Sequence, residues 1–312
     1  MFTIVIPLYN KEQSIISTIQ CVKRQNFRDF ECIIVNDGST DSSLANAETA
    51  IEGDQRFVLL NQNNRGVSAA RNMGVLHSRY PFVAFLDADD YWDENYLAEA
   101  YALVKQFPHA VLYGVGWTYG TDNMPQSRDT LHPVERRKIE NYWTQNNYSF
   151  WTSAAVVSKT AFLEIGGFDE RITYGEDIDV WYRLLLAFPY AAAYSNRLLA
   201  YWMQDTENSL FHSAPPFERN LLCYMGKYDK DRVVHPDFRR FIDPIMAGLL
   251  FPYLDSQRYQ NDASFRKQVA SVRRKIDLRT LKPLCALRLY CPALFRIKRR
   301  ITTIWKNISF NL

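Results

Sequence analysis

Short apolar runs alternate with stretches of helical periodicity over the first ninety positions of the chain. The runs that predict strands are Thr3 to Pro7, Phe30 to Val35, Phe57 to Leu60 and Phe82 to Leu86. Between them, apolar residues such as Ile15, Ile19 and Val22 recur every three or four positions and predict helices. Strands that are joined by helices and apolar at successive positions predict an α/β fold: a mostly parallel, Rossmann-like sheet with helices on both faces.

The pattern changes after residue 95. Tyr96 to Phe107 predicts a further helix. Residues 120–148 are polar and aromatic, which indicates a segment that is mobile or that contributes to an acceptor-binding site. Another helix is predicted to begin near Gly175, and after Pro216 the strand signals stop while basic residues accumulate. We therefore predict an α/β domain at residues 1–215 and a helical, basic C-terminal region at residues 216–312.

Composition is typical of a globular protein, because 47% of the 312 residues are hydrophobic. The five cysteines are scattered and form no CxxC pair, which predicts reduced thiols in a cytoplasm and no disulfide frame or zinc site. The chain starts directly with a strand pattern, so we expect no signal peptide. No apolar run reaches the ~18 residues that a membrane-spanning helix needs. Together these features predict a cytoplasmic protein.

Charge is distributed unevenly around a net value of +3. From Gln257 to the end there are 14 Lys and Arg against two acids, a net charge of +12 that leaves −9 for the rest. Near the C-terminus, basic residues alternate with aromatic and aliphatic ones. This pattern predicts either a helix that binds an anionic membrane surface or a solvated helix whose apolar face packs on the α/β domain. No nucleic-acid-binding module accompanies the charge, so we expect no nucleic-acid partner.

Polar clusters follow three of the predicted strands. They are Pro7-Leu8-Tyr9-Asn10, Asn36-Asp37-Gly38-Ser39 and Asp87-Ala88-Asp89-Asp90. In open α/β sheets, ligands bind outside the carboxyl ends of the strands. The three clusters are therefore predicted to meet in one crevice.

The acidic cluster that begins at Asp87 has the most specific chemistry. Mg²⁺ and Mn²⁺ prefer oxygen ligands and need only one or two carboxylates when phosphates complete the coordination shell. Two acids that are two positions apart can supply one metal ligand and one group for ribose hydroxyls. Taken alone, an acidic loop that caps the next helix accounts for these residues equally well.

Two further clusters suit a nucleotide. Asp37 at a strand end can accept a hydrogen bond from the imide N–H of uracil or thymine, and Gly38 permits the tight turn. Arg65, Gly66 and Arg71 lie around a predicted helix start, where anionic ligands bind readily. A plain strand-to-helix turn is the alternative for the Asp37 cluster.

A fourth cluster, Gly175-Glu176-Asp177-Ile178-Asp179, begins a predicted helix. A base is needed to take the proton of an attacking hydroxyl, and a carboxylate in a first helical turn stays ionised near neutral pH. Acids in a first turn are also common without any catalytic role, and that alternative remains open.

Two other patterns indicate no site. The glycines of Gly114 to Gly120 are spaced one position too far apart for a dinucleotide loop, which argues against a Rossmann dehydrogenase. The five histidines show no metal-ligand spacing.

In this order and spacing, the motifs resemble those of the family 2 glycosyltransferases, which have the GT-A fold. The resemblance covers Phe2 to about Ser209, roughly two thirds of the chain. The segments that carry it are Ile4–Asn10, Val35–Asp41, Asn64–Gly66 with Ala70–Asn72, Phe85–Asp90, Gly166–Glu170 and Gly175–Asp179. Each motif is weak alone, but six in the family's order are a specific match.

The resemblance implies a metal-dependent, inverting glycosyltransferase that uses Mn²⁺ or Mg²⁺. The implied donor is a nucleotide-diphosphate sugar, with UDP favoured, and the implied acceptor is a hydroxyl. If the basic tail binds a membrane surface, we expect that hydroxyl to belong to a lipid-linked or polysaccharide glycan. Asp177 is the implied base, Glu176 shapes the acceptor site and Asp89 binds the metal. The residues implied to bind the donor are Pro7, Tyr9, Asn10, Asp37, Arg65, Gly66, Arg71 and, at the ribose, Asp87.

One segment departs from the family pattern. Many relatives carry Arg and His after the last core strand, in a pattern like Tyr-Arg-x-His, whereas Trp202 and Gln204 stand at those positions here. A diphosphate contact from this loop is therefore not implied. Two other classes remain as alternatives: a non-catalytic nucleotide-sugar-binding protein, in which Asp177 is dispensable, and a sugar-phosphate nucleotidyltransferase, which needs a glycine-rich basic loop after the first strand.

Overall fold

The computed structural model describes residues 1–120, 134–144, 150–203, 216–277 and 279. The chain divides into two compact units, Met1–Ser209 and Leu210–Leu312. The predicted boundary after residue 215 adjoins segment 204–215, which lies outside the described residues, so it stays a prediction.

The first four strands of the first unit form a parallel sheet. Its elements are β1 (Phe2–Leu8), α1 (Ile15–Lys23), β2 (Phe30–Asn36), α2 (Ser43–Ile51), β3 (Phe57–Asn61), α3 (Val67–His77) and β4 (Phe82–Phe85). β1 pairs in parallel with β2 and β4, and β2 pairs in parallel with β3. Every residue of β1 and β2 is buried. This agrees with the continuous apolar runs, which suit strands that are covered on both faces.

The remaining strands make the sheet mixed. The elements are β5 (Tyr91–Trp92), α4 (Tyr96–Gln106), β6 (Leu112–Gly120), β7 (Arg136–Ile139), β8 (Ala155–Ser158), α5 (Lys159–Glu164), α6 (Glu176–Ala187) and β9 (Ala192–Met203). The strand order is β3-β2-β1-β4-β8-β6-β9-β5, with β7 also paired to β9. The α/β class is confirmed, and the parallel pairing predicted for the first ninety residues extends only to β4. Beyond it, β6–β9 is the one parallel pairing among the described strands.

Strand directions decide which loops meet. β8 is antiparallel to both β4 and β6, whereas β6 and β9 are parallel to each other. The carboxyl ends of β1, β2, β3, β4, β6 and β9 therefore lie at one edge of the sheet, together with the amino end of β8. We call this the functional edge.

Part of the segment at residues 120–148, which was predicted to be mobile or to lie on the acceptor side, is a strand. β7 pairs with β9, and its last residue, Ile139, is buried. The Arg136 guanidinium donates to both carboxylate oxygens of buried Glu99, at 2.6 and 2.8 Å. Gly114, in the rejected dinucleotide pattern, lies inside β6, where an added Cβ would be 2.7 Å from the Phe150 ring. Close packing therefore accounts for this glycine.

The described part of the second unit is helical, as the loss of strand signals predicted. Its helices are α7 (Leu221–Tyr224), α8 (Asp229–Val234), α9 (Pro236–Leu254), α10 (Gln257–Asn261) and α11 (Ala263–Lys275). The basic helix α11 buries Phe265 against the Phe217 and Tyr253 rings. The apolar side of α11 is thus covered within its own unit. Residues 280–312, the tail for which two interpretations were open, lie outside the described residues.

No helix in the described ranges is long and apolar enough to cross a membrane. The two most apolar stretches are parts of other elements: residues 245–254 form the end of α9, and residues 184–194 span the end of α6 and the start of β9.

Candidate active site

Three polar segments meet at the functional edge. They are the acidic cluster after β4, the short turn Thr152–Ala154 before β8, and the first turn of α6. Hydrogen bonds from Arg71, Thr152 and Ser153 connect these segments. Residues more than a hundred positions apart in the chain thus form one polar site.

Arg71 is the centre of this site. Its side chain is 3% exposed, donates to Asp87 Oδ1 at 2.6 Å and donates to Glu176 Oε1 at 2.9 Å. Burial alone disfavours the cation, but the charges of Asp87 and Glu176 outweigh it and raise the pKa of Arg71. The guanidinium also lies 5.2 Å from the centroid of the Phe168 ring. In this structure Arg71 holds two carboxylates, and the expectation that it also binds the donor stays a prediction.

Asp177 occupies the second position of α6. The helix begins after Gly175, whose φ of 79° is in the left-handed region that glycine tolerates. Asp177 Oδ1 accepts from the Ile178 N–H at 2.7 Å, and Oδ2 accepts from the Thr152 hydroxyl at 3.0 Å. Burial and the neighbouring charge of Glu176 raise the pKa of Asp177 to about 6, against the lowering effect of Arg71. The carboxylate is therefore ionised at neutral pH yet basic enough to accept a proton.

The acidic cluster has one carboxylate that remains accessible and is not held by Arg71. Asp89 is 26% exposed at its side chain and pairs with the Lys11 ammonium at 2.5 Å. Burial raises the pKa of Asp89, while the Lys11 charge lowers it. Asp90 is buried, and one of its oxygens, Oδ1, has no hydrogen-bond partner. Burial and the charges of Asp89 and Asp87 raise the pKa of Asp90 well above its usual range.

Sequence reasoning missed Thr152 and Ser153. Ser153 donates its hydroxyl to Asp90 Oδ2 at 2.6 Å and accepts from the Asp87 backbone N–H at 3.1 Å. Its carbonyl accepts from the Trp92 indole N–H. Thr152 and Ser153 therefore connect the acidic cluster to Asp177. A threonine-serine pair before a short strand is too common a pattern to have identified this role.

Asp37 lies at the end of β2 and holds the loop before α3. Its Oδ1 accepts from the Gln62 side chain at 2.7 Å and from the Arg65 N–H at 2.8 Å, and its Oδ2 accepts from the Gly66 N–H at 2.8 Å. Gly66 has a φ of 93°. Arg65 directs its guanidinium to Glu170, 2.8 Å away. The predicted donor-binding residues Asp37, Arg65 and Gly66 are therefore brought together by the structure.

The segment after β1 presents one aromatic ring. Tyr9 is 46% exposed, whereas Pro7 is buried within β1. Asn10 has a φ of 50°, and its side-chain oxygen accepts from the Thr40 N–H at 2.9 Å. Tyr9 can thus contact a ligand directly, while Pro7 and Asn10 fix the backbone around it.

Asp179, the last acid of the α6 motif, has a different environment. Its side chain is fully buried and accepts from Arg183 Nε at 2.8 Å. Arg183 also donates to the carbonyls of Ile165 and Gly167 in the turn after α5. Asp179 therefore secures the Gly166-Gly167 turn, and only Glu176 and Asp177 of this motif join the polar site.

The sequence model of Glycosyl transferase family 2 matches residues 3–166, which is more than half of the chain. The chain belongs to this family. Among curated relatives, the amylovoran biosynthesis glycosyltransferase AmsB of Erwinia amylovora is 29% identical over 195 residues, covering 58% of this chain and 63% of AmsB. The chain spans less than two thirds of the length of the curated relatives it matches. The resemblance inferred from the six motifs is confirmed.

Solved structures confirm the GT-A type fold. The S. aureus TarS structure in complex with UDP-GlcNAc has a TM-score of 0.63 at 18% identity, covering 92% of this chain and 86% of TarS. The mannosyltransferase PcManGT of Pyrobaculum calidifontis, in complex with GDP-Man and Mn²⁺, has a TM-score of 0.53 at 15% identity, covering 95% of this chain and 82% of its own. At these identities the likeness concerns the fold alone.

Proposed function

We propose that this protein is a metal-dependent, inverting glycosyltransferase that moves a sugar from a UDP-sugar to a glycan hydroxyl, with Asp177 as the base. The observation that carries the proposal is that two carboxylates, Asp89 and Asp177, lie at the same edge of the sheet but have different hydrogen-bond and ion-pair partners. Asp89, in the acidic cluster, pairs with the Lys11 ammonium, whereas Asp177 accepts from the Thr152 hydroxyl and has a pKa raised to about 6. Family membership supports the reaction class.

The residues present fit a cation that shares its shell with phosphates. Among the described residues, no group of three or more His, Cys, Asp and Glu side chains is placed to hold a metal ion. Asp89 can supply one hard oxygen, and a bound diphosphate can supply others, which is how Mg²⁺ and Mn²⁺ are commonly held. When bound, such a cation stabilises the negative charge of the departing diphosphate. PcManGT, which was solved with Mn²⁺, supports this assignment.

The proposed step is a direct displacement at the anomeric carbon. The acceptor hydroxyl forms the new C–O bond while its proton passes to Asp177, and the sugar–phosphate bond breaks with its electron pair remaining on UDP. Thr152 and the Ile178 N–H hold the Asp177 carboxylate in one orientation before the reaction. A single base without a second nucleophile inverts the anomeric configuration.

Uracil is favoured over guanine by the hydrogen bonds of Asp37. A carboxylate has about four acceptor positions, and three are used by Gln62, Arg65 and Gly66. The one that remains, on Oδ2, matches the single imide N–H of uracil, whereas guanine presents two adjacent donors. TarS, which was solved with UDP-GlcNAc, supports the same choice.

The acceptor is proposed to be a glycan, either lipid-linked or polysaccharide. The name of AmsB, an amylovoran biosynthesis glycosyltransferase, supports a biosynthetic transfer reaction. Contact with an anionic membrane surface rests only on the composition of the tail. Sedimentation with liposomes that contain anionic lipid, using the full chain and a chain lacking residues 280–312, tests it. Equal partitioning of the two proteins contradicts membrane contact.

A donor screen tests the proposed reaction. UDP-, dTDP- and GDP-sugars are incubated with the full chain in Mn²⁺ or in EDTA, and nucleoside diphosphate release is measured. We expect one UDP-sugar to be consumed with Mn²⁺ only, and no consumption by Asp89→Ala. The anomeric configuration of any product, followed by NMR, must be opposite to that of the donor. Binding without turnover for every donor supports the non-catalytic alternative, and absence of binding contradicts the proposal.

A further inference from the structure

Four aromatic side chains form a cluster at the functional edge, which we call the aromatic cluster. Its members are Trp117 and Tyr119 of β6, Trp202 of β9 and Trp151, which precedes the turn before β8. The Tyr119 and Trp202 rings are stacked with centroids 5.4 Å apart. Trp151 lies 5.3 Å from Trp117 and 6.3 Å from Trp202 between ring centroids. The four rings thus form one continuous surface.

The aromatic cluster differs from the aromatic core of the same unit. Trp92 and Trp181 of the core are 0% and 2% exposed, whereas Tyr119 is 57% exposed. The three tryptophans of the cluster are partly buried, and Trp117 and Trp151 pack on the core. An aromatic surface that remains accessible is typical of a ligand-binding site.

The aromatic cluster is linked in the chain to a residue that contacts the proposed base. Trp151 is bonded in the chain to Thr152, whose hydroxyl donates to Asp177 at 3.0 Å. The paired registers of β6 and β9 place Tyr119 beside Trp202 at the ends of both strands. The aromatic cluster therefore adjoins, through Trp151, the turn whose Thr152 hydroxyl holds Asp177.

Strand order separates the aromatic cluster from the proposed nucleotide site. Asp37 follows β2 and Tyr9 follows β1, and both strands lie on one side of β4 in the sheet. β6 and β9 lie on the other side of β4, and the acidic cluster follows β4 itself. A donor with its base near Asp37 and its diphosphate near Asp89 reaches the middle of the edge from one side. The aromatic cluster faces the middle from the other side.

We propose that the aromatic cluster binds a sugar ring of the acceptor glycan and so directs its hydroxyl toward Asp177, an inference that rests on the proposed function. A pyranose ring has apolar C–H faces and a rim of hydroxyls. Flat indole and phenol rings bury the C–H face, and their N–H and O–H groups can bond the rim. An acceptor that stacks here is recognised by ring shape, so an acceptor without a sugar ring is disfavoured.

Binding of unlabelled oligosaccharides tests the proposal without any need for turnover. Saturation-transfer NMR uses chitotriose, cellotriose, maltotriose and xylotriose as probes, each with the full chain. We expect ring C–H signals from at least one probe with the wild type, and a Kd at least tenfold weaker with Tyr119→Ala and Trp202→Leu. A tenfold change corresponds to about 1.4 kcal/mol. The same variants should raise the KM for that acceptor tenfold while the Kd for UDP with Mn²⁺ changes less than twofold.

Tyr190→Asn is the matched control. Tyr190 is 62% exposed, like Tyr119, but it precedes β9 and so lies at the opposite edge of the sheet. Its φ of 65° is tolerated by asparagine. We expect this variant to bind the probe as the wild type does.

The proposal is overturned if no probe gives ring signals with the wild type. It is overturned equally if Tyr119→Ala and Trp202→Leu bind the probe and melt as the wild type does. Binding of lipid vesicles but of no saccharide also overturns it. If the wild type binds no donor, the proposed function is contradicted instead. The two failures are therefore distinguishable.

Discussion

Replacing Asp177 with asparagine is expected to stabilise the protein at neutral pH. Burial and Glu176 raise the pKa of Asp177 from 3.8 to about 6. The folded state therefore binds this proton more tightly than the unfolded state does. When the pKa of an acid is raised in the folded state, its contribution to folding stability is greatest at low pH. That contribution declines as pH rises between the unfolded and folded pKa values. Above about pH 6 the ionised Asp177 thus disfavours folding.

The magnitude follows from the size of the pKa difference. About two units at 1.36 kcal/mol each give an upper limit of about 3 kcal/mol above pH 7. Because Asp177 is only half-buried, we expect about 1–3 kcal/mol. For a protein of this size each kcal/mol raises the Tm by roughly 2–4 °C. Asparagine keeps the local geometry, since its oxygen can accept from the Ile178 N–H and the Thr152 hydroxyl can rotate to accept from its amide.

Thermal melts of the wild type and of Asp177→Asn at pH 4, 6 and 8 measure the effect. We expect the variant to gain stability at pH 8, to gain less at pH 6 and to match the wild type at pH 4. Asp179→Asn is the control on the same helix, because it removes the buried partner of Arg183 and should lower the Tm at pH 8. A variant Asp177→Asn that is no more stable than the wild type at pH 8 refutes the argument that burial raises this pKa.

Two further substitutions test the roles of Arg71 and Asp37. Arg71→Met leaves Asp87 and Glu176 without their shared cation, so we expect a loss of about 3 kcal/mol or more in chemical denaturation. It should also move the acidic limb of the pH–rate profile to higher pH, because Arg71 lowers the pKa of Asp177; an unmoved limb contradicts that coupling. Asp37→Asn turns an amide toward backbone N–H donors, so we expect UDP affinity by calorimetry to fall at least tenfold, or about 1.4 kcal/mol. An unchanged affinity shows that Asp37 does not contact the base.

The parallel half of the fold was predictable from the sequence because β1 and β2 are covered on both faces. Continuous apolar runs such as Ile4 to Ile6 indicate buried parallel strands when segments of helical periodicity separate them. β7 was not predictable, since it is four residues long and three of them, Arg136, Arg137 and Lys138, are charged. Its position depends on pairing with β9 and on the ion pair between Arg136 and Glu99, neither of which a local pattern reveals.

The candidate site was predictable where its side chains follow the ends of strands. It was not predictable where a side chain's role depends on contacts with residues that are distant in sequence. Asp37, Asp89 and Asp177 could be proposed from their motifs, and the structure brings their loops to one edge. Asp179 and Arg71 look equally suited to ligand binding in sequence. Only burial and their partners show that Asp179 holds Arg183 and that Arg71 holds two carboxylates. Ser153 and the aromatic cluster depend on strand order, which the sequence does not state.

Donor binding and turnover by Asp177→Asn test the proposed function most directly. The full chain and the variant are titrated with the UDP-sugar found in the screen, in Mn²⁺, and transfer is then measured with the acceptor present. We predict a donor Kd within twofold of the wild type and a kcat reduced by about 10² or more, as the removal of a catalytic base requires. A variant that folds, binds the donor and transfers the sugar at the wild-type rate contradicts the assignment of Asp177 as the base.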